Sequence, residues 1–357
     1  MSPTTRRQFL RRAAGVGAVT AVWPLLAACG GGGAAPSQAS SGSAPRTLRI
    51  MMNGGLSQQV ITKAVFDPFS KANNVKVEVT PSNSEPMLTK LRAEKAAPTV
   101  DAVIWDDLVA VQGRDEGLIE KIDASNVPNL KALSPQADYH DGYGPAVQSN
   151  PIIYAFNTSL FHVQPPATFK ELWDARFKKS LYLSGIDVTP GVLFLVRAAQ
   201  ANGGSYENID PGFAALKKLL PNVGGFYHSV ADITNGMKTQ PYLVQTGTGL
   251  PQAAIKDGTP IQTVFLTDGS DALPAVFDIV KGTKQKALLE QLLNFYIDVP
   301  QQTGIAKGMY WTMFNPKVQL PADYKDKVPT KINVYDPRKI AKNREAWAAR
   351  WKTEIGG

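Results

Sequence analysis

Acidic and aromatic side chains stand where the chain turns after predicted strands. Trp105 ends a short apolar run and is followed by Asp106 and Asp107, while Asp187 occupies a turn before a predicted helix. A carboxylate supplies the opposite charge that a desolvated ammonium group requires, and an aromatic ring adds a cation–π attraction. These residues are therefore candidates for contacts with a bound small molecule.

Each of these four residues also has a structural interpretation that the sequence leaves open. Trp105 fits the interior of a core as well as the wall of a site. One of Asp106 and Asp107 suits the N-cap of the helix that follows them. Asp187 suits the N-cap of the next predicted helix in the same way.

Further polar groups lie elsewhere, but no enzyme or metal signature accompanies them. Gln245 and Thr246 offer neutral hydrogen bonds in a Gly-rich turn. His140, His162 and His228 are scattered and lack the spacing of metal ligands. The sequence contains no Gly-x-Ser-x-Gly elbow, no phosphate-binding Gly-Lys-Ser/Thr loop and no His-Glu-x-x-His helix. We therefore expect no catalytic residues, no cofactor and no metal.

Strands and helices alternate along the chain and must position these side chains. Thr168 and Glu171 form a capping-box pattern, and a final amphipathic helix carries Trp347 and Trp351 on one side. The order of elements is typical of an α/β protein with a parallel sheet between helices. The predicted strands are residues 47–52, 75–79, 101–105, 152–157, 181–183 and 262–266, and the predicted helices are residues 60–72, 85–96, 108–116, 168–177, 190–202, 211–220, 284–296 and 339–354.

The N-terminal segment reads as an export signal. Arg6 and Arg7 precede Phe9 and a mostly apolar run at residues 13–26. That run is shorter than the roughly 20 residues of a membrane-spanning helix, as expected of a signal peptide. The paired arginines favour the twin-arginine route, which exports folded proteins, over a standard export signal that happens to contain Arg-Arg.

The single cysteine falls where a lipid anchor would be attached. Leu26-Ala27-Ala28-Cys29 resembles a bacterial lipobox, although a small-residue cleavage site with a chance cysteine is the alternative. We expect residues 1–28 to be the signal peptide and residues 29–45 to be lipidated Cys29 with a flexible Gly/Ser/Ala tether. Several acyl chains would hold the protein stably at the membrane. One cysteine excludes an internal disulfide and a Cys-cluster metal site.

Length and net charge limit the classes of protein to which the chain can belong. The chain has 357 residues, of which 43% are apolar and 19% charged, which suits about two globular domains. The formal charge is +8, but removing the four arginines that precede Cys29 leaves +4. The lysines are also interleaved with acids, so we expect no nucleic-acid partner.

Two motifs carry a family resemblance. A strand at residues 152–157 runs into Asn157-Thr158, and residues 172–178 read Leu-Trp-Asp-Ala-Arg-Phe-Lys. With the lipoprotein leader and the α/β body from Leu48 to Lys352, these motifs resemble the extracellular solute-binding proteins of ABC importers. The resemblance is greatest to the spermidine/putrescine-binding branch.

The resemblance implies a two-lobed, type II periplasmic-binding-protein fold. Each lobe would hold a mainly parallel sheet flanked by helices, and a hinge motion would close the lobes around the ligand. By analogy, lobe 1 comprises residues 46–151 and 271–317, and lobe 2 comprises residues 152–270 and 318–357. The implied partners are a small solute, an ABC permease with its ATPase, and the membrane through the lipid anchor. We expect a periplasmic monomer.

The resemblance also indicates further ligand contacts. Ligands of open α/β sheets bind beyond the carboxyl ends of the strands, where Gly54 and Ser84 follow the first two strands. Trp311 falls where the family places a pocket tyrosine. The polyamine branch has aromatic rings where this chain has Gly54 and the turn at Gln245, and an acidic run where only Asp187 remains. The solute is therefore open between a polyamine and another amine- or amide-bearing compound.

A membrane-anchored scaffold or sensor that uses the same fold to contact a protein partner is the alternative function. The cleft between the lobes distinguishes the two functions. An open cleft favours solute binding, whereas a cleft filled by side chains favours the scaffold.

Overall fold

The computed structural model describes residues 46–137, 141–320 and 327–356. The predicted signal peptide, Cys29, the tether and His140 lie outside these ranges. No helix within them is both long enough and apolar enough to cross a membrane.

Twelve strands form one continuous sheet in the described part of the chain. They are β1 (Arg46–Met52), β2 (Val75–Pro81), β3 (Ala102–Asp106), β4 (Ile119–Glu120), β5 (Ala146–Asn157), β6 (Leu181–Ser184), β7 (Val223–Tyr227), β8 (Leu243–Gly247), β9 (Ile261–Val264), β10 (Ser270–Val280), β11 (Thr312–Met313) and β12 (Ile332–Asn333). The main order is β2-β1-β3-β10-β5-β8-β6-β7, and the short strands attach to β5 or β10.

The sheet has two parallel halves joined by antiparallel strands. In the first half, β1 lies between β2 and β3, with Leu48 opposite Val77 and Met51 opposite Val103. In the second half, β6 runs parallel to β7 and β8. The long strands β5 and β10 connect the halves, because β5 pairs with β10 through its first part and with β8 through its last part.

Helices connect the strands and cover the sheet. A π-helical turn, Thr62–Phe66, joins the first two helices just before Pro68, which has no backbone N–H to donate. The helices are α1 (Leu56–Ile61), α2 (Asp67–Asn73), α3 (Ser84–Ala93), α4 (Asp107–Asp115), α5 (Thr189–Ala201), α6 (Asp210–Leu219), α7 (Val230–Thr239), α8 (Gly249–Lys256), α9 (Lys286–Tyr296), α10 (Val299–Met309) and α11 (Pro337–Glu354).

Alternate residues of the first-half strands enter two different cores. Ile50 and Ile104 pack with Leu289 of α9 on one face of the sheet. Met51 and Trp105 belong to a separate core that includes residues of α3 and α4. This follows from the alternation of side chains along a strand. A third core joins α5, α6 and α11 in the second half.

The prediction of an α-helix at residues 168–177 is wrong. The segment forms two 3₁₀ turns, Phe169–Trp173 and Ala175–Phe177. The capping box does not form either, because Thr168 makes no capping hydrogen bond and Glu171 accepts from the N–H of Ala167 and not of Thr168. Asp174 between the turns has an extended backbone and caps the second turn, so a continuous α-helix cannot form.

Candidate functional site

A cavity of about 170 Å³ lies beyond the carboxyl ends of the parallel strands. The loops that follow β1, β2, β6 and β7 contribute lining residues, as do the last residues of β3 and β8, Asp106 and Gly247. The carboxyl ends of parallel strands meet at one edge of each half, so these loops converge there. The cavity is therefore built from both halves of the sheet.

The wall contributed by the first half contains Gly54, Ser84 and Asp106, which the sequence predicted. Gly54 follows β1, and a Cβ atom there would lie 2.8 Å from the Cβ of Pro81, so only glycine fits without displacing its neighbour. Ser84 begins α3, and its Oγ accepts a hydrogen bond from the backbone N–H of Asp106 at 3.0 Å. This contact holds the end of β3 against the start of α3.

Asp106 connects the two halves across the cavity. The hydroxyl of Thr189, at the start of α5, donates a hydrogen bond to Asp106 Oδ2 at 2.6 Å. Burial raises the pKa of Asp106, whereas the bond from Thr189 and the nearby charge of Arg344 oppose this rise. A partly desolvated carboxylate in this position can accept hydrogen bonds from a cationic solute group.

Arg344 is a cavity residue that the sequence interpretation missed. It comes from α11, and its Nη1 lies 3.0 Å from Glu85 Oε1. The sequence did contain a signal for it. Arg344 lies one helical turn after Ile340 and one turn before Trp347, on the buried stripe of an amphipathic helix. A cation in such a stripe requires an acidic partner or a ligand.

Asp187 and His228 form a polar pair on the second-half wall. His228 Nδ1 lies 2.8 Å from Asp187 Oδ1, and both side chains are about half exposed. Asp187 does not cap α5, because Val188 occupies the N-cap and no side chain caps that helix. Among the described residues, no group of three or more His, Cys, Asp or Glu side chains could hold a metal ion.

Trp311 lines the cavity immediately before β11. The residue is 8% exposed, and its Nε1 has no hydrogen-bond partner among the described residues. It therefore brings an apolar ring surface to the cavity wall, while its N–H is buried.

Trp105 does not line the cavity. Its ring packs in the core beneath α4, and its Nε1 donates to Asp278 Oδ2 at 3.0 Å. Asp278 also accepts hydrogen bonds from Arg114 Nη2 at 2.8 Å and from the Gly144 N–H at 3.1 Å. The structure thus places Trp105 in the core position that its sequence had left open.

Asp107 is likewise directed away from the cavity. It is the first residue of α4, and its Oδ1 accepts a hydrogen bond from the Leu108 N–H at 2.8 Å. Burial raises the pKa of Asp107 to about 8, and the neighbouring charge of Asp106 adds to this rise. Asp107 therefore supports the start of α4, whereas Asp106 faces the cavity.

Gln245 and Thr246 lie in a strand and not in a turn. Both belong to β8, where Gln245 is opposite Tyr154 of β5, and both are 1% exposed. Gln245 Oε1 accepts a hydrogen bond from the Ser184 N–H at 3.0 Å. Thr246 Oγ1 donates a hydrogen bond to the Gly247 carbonyl at 3.2 Å, and neither side chain lines the cavity.

A curled α/β sheet with a cavity between its halves defines a two-lobed binding protein. Residues 64–330 match the family of bacterial extracellular solute-binding proteins, and the chain belongs to that family. It is an extracellular solute-binding protein and not an enzyme. The family resemblance drawn from the two sequence motifs is confirmed.

Three curated relatives show what similar proteins bind. The spermidine/putrescine-binding periplasmic protein of Salmonella typhimurium is 24% identical over 74% of this chain and 76% of its own length. A putative 2-aminoethylphosphonate-binding periplasmic protein of Salmonella paratyphi A is 25% identical over 70% and 72%. The gamma-aminobutyric acid-binding protein of Pseudomonas aeruginosa is 25% identical over 73% and 74%.

Solved structures confirm the two-lobed α/β fold. An ABC transporter structure from Clostridium perfringens has a TM-score of 0.71 at 22% identity, covering 86% of this chain and 99% of the other. A periplasmic binding protein from Actinobacillus pleuropneumoniae, with fructose-6-phosphate bound, has a TM-score of 0.72 at 19% identity, covering 88% and 99%.

Proposed function

We propose that the protein captures a small amine-bearing solute in this cavity and delivers it to an ABC permease whose ATPase drives import. The observation that carries the proposal is the position of Asp106, a partly desolvated carboxylate that faces the cavity. The solutes named for the three relatives, a polyamine, an aminophosphonate and an amino acid, all contain an amine. The open cavity favours this function over a scaffold whose cleft would be filled by side chains.

Capture would occur by closure of two lobes. We assign residues 46–151 and 271–317 to lobe 1 and residues 152–270 and 318–357 to lobe 2. The assignment is supported by packing, since α9 and α10 share a core with β1 whereas α11 shares one with α5 and α6. Several polar contacts then cross between the lobes, and two of them lie at the cavity, Thr189 with Asp106 and Arg344 with Glu85. Closed lobes held by such contacts would exclude water from the solute.

Export and anchoring complete the proposal. The Arg6-Arg7 pattern would direct twin-arginine export, and lipidated Cys29 would hold the mature protein at the membrane through its tether. Replacing Cys29 by serine should move the protein from the membrane fraction to the soluble fraction after export. A Cys29→Ser protein that remains membrane-bound would contradict the anchor but not the binding function.

Isothermal titration calorimetry with putrescine, spermidine, gamma-aminobutyrate and 2-aminoethylphosphonate tests the binding function. Asp106→Asn should weaken binding of the preferred amine by at least about 30-fold, because truncating one partner of a buried charge pair costs about 2–5 kcal/mol. Asp174→Asn is the matched control, since Asp174 is an exposed turn cap that does not line the cavity. No heat with any amine, or an unchanged affinity in Asp106→Asn, would contradict the proposal.

A further inference from the structure

The charged side chains on the cavity wall are paired with one another, with one exception. Glu85 Oε1 lies 3.0 Å from Arg344 Nη1, and Asp187 Oδ1 lies 2.8 Å from His228 Nδ1. Among the described residues, no lysine, arginine or histidine forms an ion pair with Asp106, which is only partly buried. The described wall therefore offers a ligand one carboxylate without a cationic partner, and its arginine already has an acidic partner.

Apolar side chains form much of the remaining wall, and several of them keep accessible surface. Val230, the first residue of α7, is 44% exposed, and a Cβ atom added to Gly55 would lie 3.9 Å from its Cγ1. Val230 therefore stands opposite the loop that follows β1. A ligand that covers such side chains removes apolar surface from water, which favours binding. The other partly exposed apolar residues on the wall are Leu56, Val188, Pro190, Leu250 and Leu273.

A second charged group on the amine would be poorly accommodated by this wall. The second ammonium of a diamine would have to compete with Arg344 for Glu85 or with His228 for Asp187. An acid group would find its cation, Arg344, already paired with Glu85. A charge buried against apolar side chains without a partner is costly. One ammonium group with an apolar remainder avoids this cost and matches both kinds of wall.

We infer that the solute is a monoamine whose remaining part is apolar, such as an alkylamine or an arylalkylamine. Its ammonium group donates to Asp106, and its tail covers Val230 and the neighbouring apolar side chains. The inference rests on the proposed function, since it narrows the class of amine that the same cavity binds. It also departs from the solutes named for the three relatives, because each of those carries a second charged group.

Three ligands that differ at one end test the inference on the unaltered protein. n-Butylamine, putrescine and gamma-aminobutyrate share a four-carbon chain with an amine at one end, and their other ends are a methyl group, an ammonium group and a carboxylate. In calorimetry, n-butylamine should bind at least about tenfold more tightly than the other two. Putrescine or gamma-aminobutyrate that binds as tightly as n-butylamine overturns the inference while supporting the proposed function. No heat with these three, spermidine or 2-aminoethylphosphonate overturns both.

The length of the tail gives a second readout. Each methylene added from n-propylamine to n-pentylamine should tighten binding about fourfold, because each one buries further apolar surface. An affinity that stays constant along this series would mean that the tail remains in water, which overturns the inference.

A matched pair of valine variants tests the apolar wall. Val230→Thr replaces a methyl group by a hydroxyl at an exposed position and should weaken binding of n-pentylamine about fourfold. Val334→Thr is the control, since Val334 is 69% exposed and does not line the cavity. Unchanged affinity in Val230→Thr overturns the assignment of this wall to the tail, and the ligand series tests the solute class independently of how either variant folds.

Discussion

Replacing Asp107 by asparagine should stabilise the protein progressively as pH rises, without changing solute affinity. Asp107 is 5% exposed, and burial together with the neighbouring Asp106 raises its pKa from the ordinary 3.8 to about 8. Between these two values the unfolded chain loses a proton that the folded protein keeps. Asparagine resembles the protonated carboxyl in shape, and its Oδ1 can still accept the hydrogen bond from Leu108.

The size of the change in unfolding free energy follows from the width of this pH window. The contribution of the protonated Asp107 is fully present below the unfolded pKa of 3.8 and is lost as pH rises through the folded pKa of about 8. Each pH unit inside the window lowers the free energy of unfolding by about 1.4 kcal/mol. At pH 7 the wild-type protein has therefore lost about 4 kcal/mol from this one group, a large share of a typical stability of about 5–15 kcal/mol.

Urea unfolding, followed by tryptophan fluorescence at several pH values, measures this effect. The difference in unfolding free energy between Asp107→Asn and wild type should grow by about 1.4 kcal/mol per unit between about pH 5 and pH 7. The exposed Asp174→Asn variant should show a nearly constant difference over the same range. A constant difference for Asp107→Asn, or a loss of solute affinity in calorimetry, would refute the assignment of Asp107 as a buried, protonated side chain outside the cavity.

Three further variants test other contacts. Asp278→Asn leaves the buried guanidinium of Arg114 without its carboxylate and should lower the free energy of unfolding, measured in urea, by about 3–5 kcal/mol. Glu116→Gln breaks a partly exposed ion pair and should lower it by less than about 1 kcal/mol. Equal losses in the two variants would contradict this. Thr189→Val removes the bond to Asp106 and should increase the solute-free radius of gyration in small-angle X-ray scattering, so an unchanged radius argues against a contact between lobes. Arg344→Gln removes a charge that lowers the pKa of Asp106, so the loss of solute affinity on acidification, measured by calorimetry, should begin at higher pH; an unshifted profile counts against this coupling.

The edge of the sheet where the cavity lies was predictable from local sequence. Gly54, Ser84 and Asp106 each follow a strand that alternation or an apolar run made visible, and Asp187 follows another. The carboxyl ends of parallel strands meet at one edge, so recognising the strands was enough to bring these residues together. Nothing beyond strand ends and parallel order was needed for this part of the site.

The direction of a side chain at that edge was not predictable in the same way. Trp105 enters the core under α4, where Asp278 of β10 accepts its N–H, and β10 was not predicted as a strand. Pro274 interrupts the sequence of β10, and a proline within an apolar run argues against a strand. Gln245 was misplaced for a related reason, since the short strand β8 ends in glycine and reads locally as a turn.

Arg344 shows why the remaining part of the site depends on tertiary structure. Its helix, α11, shares a core with α5 and α6, yet Arg344 meets Glu85 of α3, which packs with first-half strands. No local sequence pattern predicts this contact, because the distance between the two side chains depends on how the two halves of the fold pack against each other.

Asp106 can take part in closure of the two halves and in solute binding at the same time. A carboxylate offers about four acceptor positions, more than the hydroxyls of Thr189 and Ser84 occupy. Asp106 can therefore keep its contact with the opposite half and still accept a hydrogen bond from a solute amine. Solute binding then adds to the contacts that hold the halves together, so the bound solute favours the closed arrangement over an open one.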